Sequence, residues 1–157
     1  MIARLFLMAV TALAFQGCAT LDNGGASRCD GSAEANRMVV LNFYNEGLVK
    51  RRPEAAFMRY MTPDFVEHKP DVPDGTREAT TAFLSQLMSD LPGARWEIVR
   101  TIADEDMVFL HARFTPDAGN APYAVADIFK VKDCRIVEHW DVVAAPPNEQ
   151  RNPNSRF

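Results

Sequence analysis

The sequence contains few of the residues that cofactor and metal sites usually require. Its 157 residues include only three cysteines, three histidines and eight glycines. No Cys-x-x-Cys pair, glycine-rich phosphate loop or nucleophilic serine or cysteine motif is present. Redox, zinc-ribbon, hydrolase, kinase and dehydrogenase functions therefore have no support in the sequence. We expect a protein that works without a cofactor.

Clustered positive charge is also scarce. The formal net charge is −4, and the one run of basic residues is Lys50, Arg51 and Arg52. Proteins that bind nucleic acid present a basic patch or stripe. We therefore expect no nucleic-acid partner.

No apolar run in the sequence is long enough to span a bilayer. The longest run lies near the N-terminus. Residues 5–15 follow the positively charged Arg4 and are too few to span a bilayer. Gly17 and Cys18 come next and resemble a bacterial lipobox. We predict a lipoprotein-type signal peptide over residues 1–17, a lipid on Cys18 and a linker over residues 18–32. Such a protein is exported and anchored to a membrane, in the periplasm or at the outer surface.

Two alternatives concern the cysteines. Cleavage after Ala14 would leave Cys18 as a plain thiol. Cys29 and Cys134 would pair in an oxidising compartment, or would remain two free thiols. The sequence leaves both questions open.

The remaining pattern predicts three helices and five strands in one domain over residues 33–143. Helices are expected over residues 33–50, from Pro53, and from Thr76 as N-cap up to Pro92. Strands are predicted over residues 65–68, 96–103 and 107–114, with a hairpin over 123–143. Segregated helices and antiparallel strands indicate an α+β fold. A strongly curved sheet wrapped around the helices would leave a cavity between them. The tail over residues 144–157 is expected at the surface.

The predicted hairpin has ionisable residues on an otherwise apolar face. Alternation places Asp127 on one side of its first strand, and His139 with Asp141 on one side of its second. A two-residue loop, Lys132-Asp133, sets Asp127 opposite Glu138, whereas a three-residue loop over residues 132–134 sets it opposite His139. We favour the three-residue loop, because only that register gathers the apolar residues on one face. Cys134 must then adopt the left-handed conformation.

Several segments resemble one known family. They are residues 53–56, 60–61, 65–70, 72–75, 125–130 and 136–142. Together they resemble the SnoaL-like polyketide-cyclase group of the nuclear-transport-factor-2-like superfamily, over about residues 32–143. The run from Glu138 to Asp141 after Asp127 is fairly specific for the group. The run from Glu67 to Pro70 stands where the group often has Gln-His-Asn-Pro.

This resemblance implies a cone-shaped α+β fold with a deep apolar pocket, often dimeric, that performs cofactor-free chemistry. In the characterised cyclases, an Asp at the position of Asp127 is the general acid/base of an intramolecular aldol closure. A His on the preceding strand assists that Asp, and it corresponds to His111. The implied ligand is a small apolar compound.

The residue pattern adds further candidates around Asp127. We predict that His139 relays a proton or donates to a substrate carbonyl, and that Asp141 orients its imidazole. His68 precedes a proline-rich loop that could rim the pocket. The predicted substrate-binding residues are His68, Asp141, Phe129, Phe83 and Leu87. The three histidines and two carboxylates could also bind a metal, but no His-x-His spacing supports this. We therefore predict no metal site.

The opposite side of the hairpin contains Trp140, Ile128 and Ala126. This face is too apolar to remain in water, so we predict a homodimer through it. The alternative is that the C-terminal tail covers Trp140.

Two functions agree with these patterns. The first is an enzyme that removes or returns a proton next to a carbonyl, in an aldol closure, isomerisation or dehydration. The second is a non-catalytic lipoprotein that binds an apolar ligand, or acts as a scaffold, through the same pocket.

Overall fold

The computed structural model describes residues 29–157. The predicted signal peptide, Cys18 and most of the predicted linker lie outside the described residues. Within residues 29–157, no helix is both long enough and apolar enough to cross a membrane.

Three helices form the first half of the domain. α1 is Ala33–Tyr44 and continues into a π-helical turn, Asn45–Val49; α2 is Pro53–Tyr60 and α3 is Arg77–Asp90. The Ser32 Oγ accepts a hydrogen bond from the Ala35 N–H at 3.2 Å, and Thr76 Oγ1 accepts one from the Ala79 N–H at 3.2 Å. These N-caps satisfy backbone donors that a helix start leaves free. They fix the helix starts where the sequence predicted them.

Five strands form one sheet. They are β1 Met61–Glu67, β2 Arg95–Asp104, β3 Met107–Thr115, β4 Tyr123–Lys132 and β5 Arg135–Ala144. Their order in the sheet is β1-β5-β4-β3-β2. The predicted α+β fold, a curved sheet with three helices, is confirmed.

The sequence predicted an antiparallel sheet, but the sheet is mixed. β1 runs parallel to β5, while the other neighbours are antiparallel. A parallel pair needs a long crossover connection, and here α3 and three strands separate β1 from β5. β1 also begins at Met61 rather than at Phe65. Pro63 is accommodated within it because β1 is an edge strand, which needs fewer backbone donors.

The helices cover one face of the sheet, and the core lies between them. Phe43 of α1 makes edge-to-face contacts with Phe57 of α2 and Phe129 of β4, with ring centroids 5.2 and 5.9 Å apart. Val108 and Ile136 are fully buried in the same cluster. Burial of a side chain of this size stabilises the fold by about 1.5–3 kcal/mol.

The β4–β5 hairpin has neither of the two loops considered from the sequence. Lys132 pairs with Arg135, so the loop is Asp133-Cys134, and both loop residues have positive φ, 48° and 63°. This is the geometry of a type I′ turn, whose twist matches that of the strands. Cys134 therefore does adopt the predicted left-handed conformation, but in a shorter loop.

A bulge then shifts the register of this hairpin. Val131 pairs with Ile136, yet Lys130 pairs with Glu138, so Val137 is the extra residue on β5. A bulge of this kind offsets the pairing of all residues beyond it. Asp127 consequently faces Asp141, and the predicted pairing of Asp127 with His139 is wrong.

A disulfide joins the N-terminal segment to this hairpin. Cys29 and Cys134 are bonded, with Cα atoms 5.8 Å apart. The bond connects the segment before α1 to the β4–β5 turn. Of the two alternatives left open by the sequence, the structure has the paired one.

The C-terminal tail folds back onto the outer face of the sheet. The Arg156 guanidinium donates to the Ala144 carbonyl at 2.9 Å. The Phe157 ring stacks on His111 at 5.7 Å and lies under the Arg113 guanidinium at 4.4 Å. The Phe157 contacts are on β3 and the Arg156 contact is at the end of β5, whereas the Trp140 ring is stacked by His68 at 4.4 Å. The tail contacts therefore lie on a different part of the face from Trp140.

Candidate functional site

A cavity of about 270 Å³ lies between the helices and the inner face of the sheet. Most of its wall is apolar, and its carboxylates and its histidine lie on β1, β4 and β5. It is lined by Phe43, Tyr44, Leu48, Phe57, Met61, Glu67, Lys69, Val72, Thr80, Phe83, Leu84, Leu87, Trp96, Phe114, Val125, Asp127, Phe129, His139, Asp141 and Val143. An apolar cavity with a few converging polar groups is the usual form of a ligand site.

A buried cluster of three charged side chains lies at the polar end of this cavity. His139 Nδ1 lies 2.9 Å from both carboxylate oxygens of Glu67, and His139 Nε2 lies 3.2 Å from Asp127 Oδ1. Glu67 and Asp127 are 7% and 6% exposed. His139 thus bridges two carboxylates that water hardly reaches.

Strand pairing brings the three residues together. Glu67, the last residue of β1, pairs directly with His139 in the parallel β1–β5 ladder. Asp127 pairs with Asp141, so it is the diagonal neighbour of His139, within reach of its ring. Phe129 lies opposite His139 and stacks on it, with centroids 4.6 Å apart. The sequence therefore correctly predicted which side chains of β4 and β5 share the inner face of the sheet. It did not predict which residues pair across the two strands.

A close turn supports the end of β1. Gly75 is the last residue of the 3₁₀ turn Pro73–Gly75 and has φ 58°, and a Cβ there would lie 2.6 Å from the Glu67 carbonyl oxygen. Only glycine allows both this conformation and this approach. The turn thereby packs against the backbone of Glu67.

The two carboxylates control the charge of His139. Burial lowers the pKa of His139, but the hydrogen bonds with Asp127 and Glu67 outweigh it and raise the pKa to about 9. The ring is therefore an imidazolium at neutral pH, and both of its N–H groups donate to carboxylates. His139 has no N–H left for a substrate carbonyl, so the predicted role as a direct donor does not fit this geometry.

Lys69 and Asp141 form a second ion pair at the cavity. Lys69 Nζ lies 2.9 Å from Asp141 Oδ2, and 3.5 Å from the more exposed Asp71. Burial lowers the pKa of Lys69, but the contact with Asp141 raises it above its usual value. Asp141 was predicted to orient the imidazole of His139. That prediction is wrong, because Asp141 binds Lys69 and Glu67 holds the imidazole.

Two polar atoms of the cavity wall have no partner among the described residues. Asp127 Oδ2 and the Tyr44 hydroxyl are both buried and make no hydrogen bond of good geometry. Burial raises the pKa of Tyr44 well above its usual value, and the charge of Asp127 and the interaction of its carboxylate with the Tyr44 hydroxyl raise it further. Tyr44 therefore remains a protonated donor beside an ionised acceptor. Unsatisfied buried groups are costly, and such groups concentrate at functional sites.

The structure places most of the predicted site residues at the cavity. Asp127, His139, Asp141, Phe129, Phe83 and Leu87 all line it. His111 and His68 do not.

His111 is outside the cavity. Val108, Leu110 and Ala112 are the buried residues of β3, which places His111 on the outer face, where Phe157 stacks on it. Both sides of β3 are partly apolar, so alternation alone could not assign His111 to a face. Its predicted catalytic role, carried over from the family motif, is therefore wrong.

His68 is also on the outer face. Its ring stacks on Trp140, and its Nε2 lies 3.2 Å from Glu138 Oε2. The backbone after Glu67 continues the strand alternation, so adjacent residues point to opposite faces. The prediction that His68 binds substrate is wrong for that reason.

Among the polar residues of the cavity, sequence reasoning did not assign Glu67, Lys69 or Tyr44 to the site. A signal existed for Glu67, because alternation in β1 places it on the same side as the apolar Phe65. Tyr44 belongs to an apolar helical stripe and reads as an ordinary core residue. Nothing in the sequence distinguishes Lys69 from a loop lysine.

No group of three or more His, Cys, Asp or Glu side chains in residues 29–157 is arranged to hold a metal ion. At the cavity, both nitrogens of His139 are already bound to carboxylates.

The fold and the cavity define a class of protein, an α+β domain whose curved sheet and three helices enclose an interior cavity. The profile of the SnoaL-like domain matches residues 40–139. The chain therefore belongs to the SnoaL-like domain family. A search of curated protein sequences found no match.

Solved structures with the same fold include proteins of different assigned activities. One from Acidithiobacillus ferrooxidans, assigned as a polyketide cyclase, is 19% identical, with a TM-score of 0.58 over 69% of this chain and 87% of its own. AclR from Streptomyces galilaeus, assigned as a hydroxylase, is 18% identical, with a TM-score of 0.59 over 72% and 81%. An NTF2-like protein of unknown function from Mesorhizobium loti is 24% identical, with a TM-score of 0.59 over 72% and 93%. Identities this low show a shared fold only.

Proposed function

We propose that the protein is an enzyme that moves a proton next to a carbonyl group in a small apolar substrate, with Asp127 as the acid/base. The reaction is an aldol closure, an isomerisation or a dehydration, as in the cyclases of its family. The observation that carries the proposal is Asp127 Oδ2, which is buried and unpartnered at an apolar cavity. A general base must present a free oxygen to the substrate.

The proton balance of an aldol closure fits this arrangement. Asp127 takes a proton from the carbon beside a carbonyl, and the electrons of that C–H bond pass into an enolate. The enolate carbon then forms a C–C bond to a second carbonyl carbon, whose oxygen becomes an alkoxide. The protonated Asp127 returns its proton to that alkoxide, so no cofactor is consumed.

His139 is a positioning residue in this mechanism. Its Nε2–H donates to Oδ1 of Asp127, which leaves the other oxygen, Oδ2, for the substrate. Glu67 in turn holds the imidazolium from its other side. The charged pair keeps the carboxylate in one orientation, and a fixed orientation is what proton transfer requires.

The test is proton exchange on a simple ketone. The wild-type protein is expected to speed deuterium exchange beside the carbonyl of 2-tetralone in D₂O, measured by NMR. Replacing Asp127 by Asn should reduce this rate about 10²–10⁴-fold. The matched control is His111→Gln, because His111 lies outside the cavity and should leave the rate unchanged. A non-catalytic binding or scaffolding lipoprotein would give no exchange above buffer, and Asp127→Asn would change nothing.

We also propose that the protein is exported and lipidated on Cys18. The disulfide between Cys29 and Cys134 supports export, because such bonds persist in oxidising compartments. Mass spectrometry of the N-terminal peptide from the membrane fraction should find acyl chains on Cys18. A chain that retains residues 1–17 would contradict this.

The outer face of the sheet supports a further proposal, a homodimer. Ile102, Phe109, Ile128 and Trp140 are paired across four neighbouring strands and form one apolar row. Ile102 is 66% exposed and Phe109 45%. Charges of both signs, Lys130 and Glu138, flank the row. A second copy of the same face is therefore complementary to it.

This dimer predicts a change in mass for one substitution. Phe109→Glu should convert a dimer into a monomer in light scattering, because it places a charge in the apolar row. The control is Met58→Glu, since Met58 is exposed on α2, away from the sheet. A wild-type protein that is monomeric at high concentration would disprove the dimer.

A further inference from the structure

The N-terminal segment of the described chain is attached at one end of the sheet. Cys29 is bonded to Cys134 in the β4–β5 turn, residues 133–134. The Asn36 side chain donates at 2.9 Å to a backbone carbonyl of the β2–β3 turn, residues 105–106. β3 and β4 pair in antiparallel fashion, so both turns lie at the same end of the sheet. We call this end, formed by the two turns, the turn end.

The cavity opens at the other end of the β4–β5 hairpin. Met61 pairs with Ile136 beside the β4–β5 turn, lines the cavity and is fully buried. Val143, near the end of β5, also lines the cavity and is 45% exposed. Strand spacing separates Val143 from Arg135, the first residue of β5, by about 27 Å. The open end, at Val143, is therefore most of a strand length away from the turn end.

The predicted linker sets how far an anchored domain can stand from the bilayer. With a lipid on Cys18, the chain from Cys18 to Cys29 is the tether. At full extension a chain of this length reaches about 40 Å. A polar linker of this length spans about 18 Å on average, less than the length of β5. Bringing the open end to the bilayer would stretch the tether beyond that average, at a cost in conformational entropy.

The turn end does not bind the bilayer through its own charges. Its exposed side chains include four carboxylates and two cations, those of Asp104, Glu105, Asp106 and Asp133 and those of Lys132 and Arg135. Anionic lipids attract basic segments and repel acidic ones. The tether, rather than contact with lipid, therefore keeps the turn end near the bilayer.

We propose that the turn end of the anchored protein faces the membrane, so that the cavity opens toward the aqueous compartment and takes up its ligand from water rather than from the bilayer. This proposal rests on the proposed lipidation of Cys18 and does not depend on the proposed enzyme activity. It adds the direction from which a ligand arrives. It also gives the disulfide a role, because the bond fixes the point where the tether leaves the domain.

Paramagnetic broadening of valine methyl signals tests this orientation. The sample is the lipidated protein from the membrane fraction, labelled at its valine methyl groups, in nanodiscs of phosphatidylethanolamine and phosphatidylglycerol. The probe is a lipid that carries a gadolinium chelate, and the same lipid with lanthanum is the diamagnetic control. Val131 lies at the turn end and Val143 at the open end. Broadening falls steeply with distance, so the Val131 signals should broaden about tenfold more than those of Val143.

A longer tether separates tethering from direct binding to lipid. A Gly/Ser insertion that doubles the chain between Cys18 and Cys29 leaves the folded domain unchanged. It should reduce the broadening of Val131 about threefold, because the average span grows with the square root of length. Broadening that is independent of tether length would show that the domain binds lipid directly, and would overturn the proposal.

The other outcomes are equally distinct. Equal broadening of Val131 and Val143 would mean that the domain lies flat on the bilayer, and stronger broadening of Val143 would mean that the open end faces it. Either result would overturn the proposal while leaving the lipidation of Cys18 intact. A protein without acyl chains on Cys18 would overturn both. The exchange of 2-tetralone tests the enzyme independently of all these results.

Discussion

Replacing Glu67 by Gln is expected to lower the free energy of unfolding at pH 7 by about 3 kcal/mol. The change keeps the shape of the side chain but removes its charge from a buried imidazolium. Both oxygens of Glu67 lie 2.9 Å from His139 Nδ1, and the carboxylate is almost inaccessible to water. Removing one member of a buried ionic cluster leaves a charge poorly compensated, and Asp127 then holds His139 alone.

The loss should depend on pH in a defined direction. The folded-state pKa of His139, about 9, lies above its ordinary value of 6.5. Stabilisation by its proton is therefore complete below pH 6.5 and disappears as the pH rises through 9. Denaturant unfolding of wild type and Glu67→Gln should differ most just below pH 6.5 and least above pH 9.

The chain contains its own control for this experiment. Glu138 also binds a histidine, His68, at 3.2 Å, but this pair is on the outer face and the Glu138 side chain is 28% exposed. A solvent-exposed pair contributes about 0–1 kcal/mol. Glu138→Gln should therefore cost less than 1 kcal/mol. Equal losses for the two variants would refute the buried cluster.

Replacing Cys134 by Ser is expected to cost about 4–5 kcal/mol of unfolding free energy. The bond to Cys29 spans a sequence separation of 105 residues. A cross-link over so long a loop restricts the unfolded chain strongly, and its removal restores that entropy to the unfolded state. The measurement is denaturant unfolding of oxidised protein.

Further variants test whether the loss of stability comes from the disulfide. Cys29→Ser should cost as much as Cys134→Ser, and the double variant should cost no more than either. Cys134 has φ 63°, a conformation that glycine adopts without strain. Cys134→Gly should consequently lose about 1 kcal/mol less than Cys134→Ser. A Cys134→Ser variant as stable as wild type would show that the disulfide does not constrain the chain.

Local sequence signals predicted the elements and the side of the hairpin that faces the core. Ser32 and Thr76 are strong N-caps, and their positions fix two helix starts without reference to the rest of the fold. The alternation in β4 and β5 placed Asp127 and His139 on one face, because side-chain direction has a period of two. The family resemblance added the fold, which is confirmed, and the acid/base role of Asp127, which stays a prediction.

Local sequence signals could not predict how strands that are distant in the sequence pair with one another. The bulge at Val137 depends on how β4, β5 and the turn fit together, so the register of Asp127 could not be read from the hairpin sequence. Glu67 meets His139 only because β1 pairs in parallel with a strand far along the chain. The faces of His111 and His68 also depend on that sheet, and both residues lie outside the cavity.

The protonation of His139 is the most direct measure of the central claim, that an imidazolium between Glu67 and Asp127 leaves one Asp127 oxygen free at the cavity. NMR titration of the imidazole nitrogens, assigned with His139→Gln, should give His139 a pKa of about 9. Burial and the nearby Arg100 and Arg156 lower the pKa of His111, so that signal should titrate below the ordinary value of 6.5. A His139 that loses its proton near pH 6.5 would contradict the buried cluster and the proposed role of Asp127.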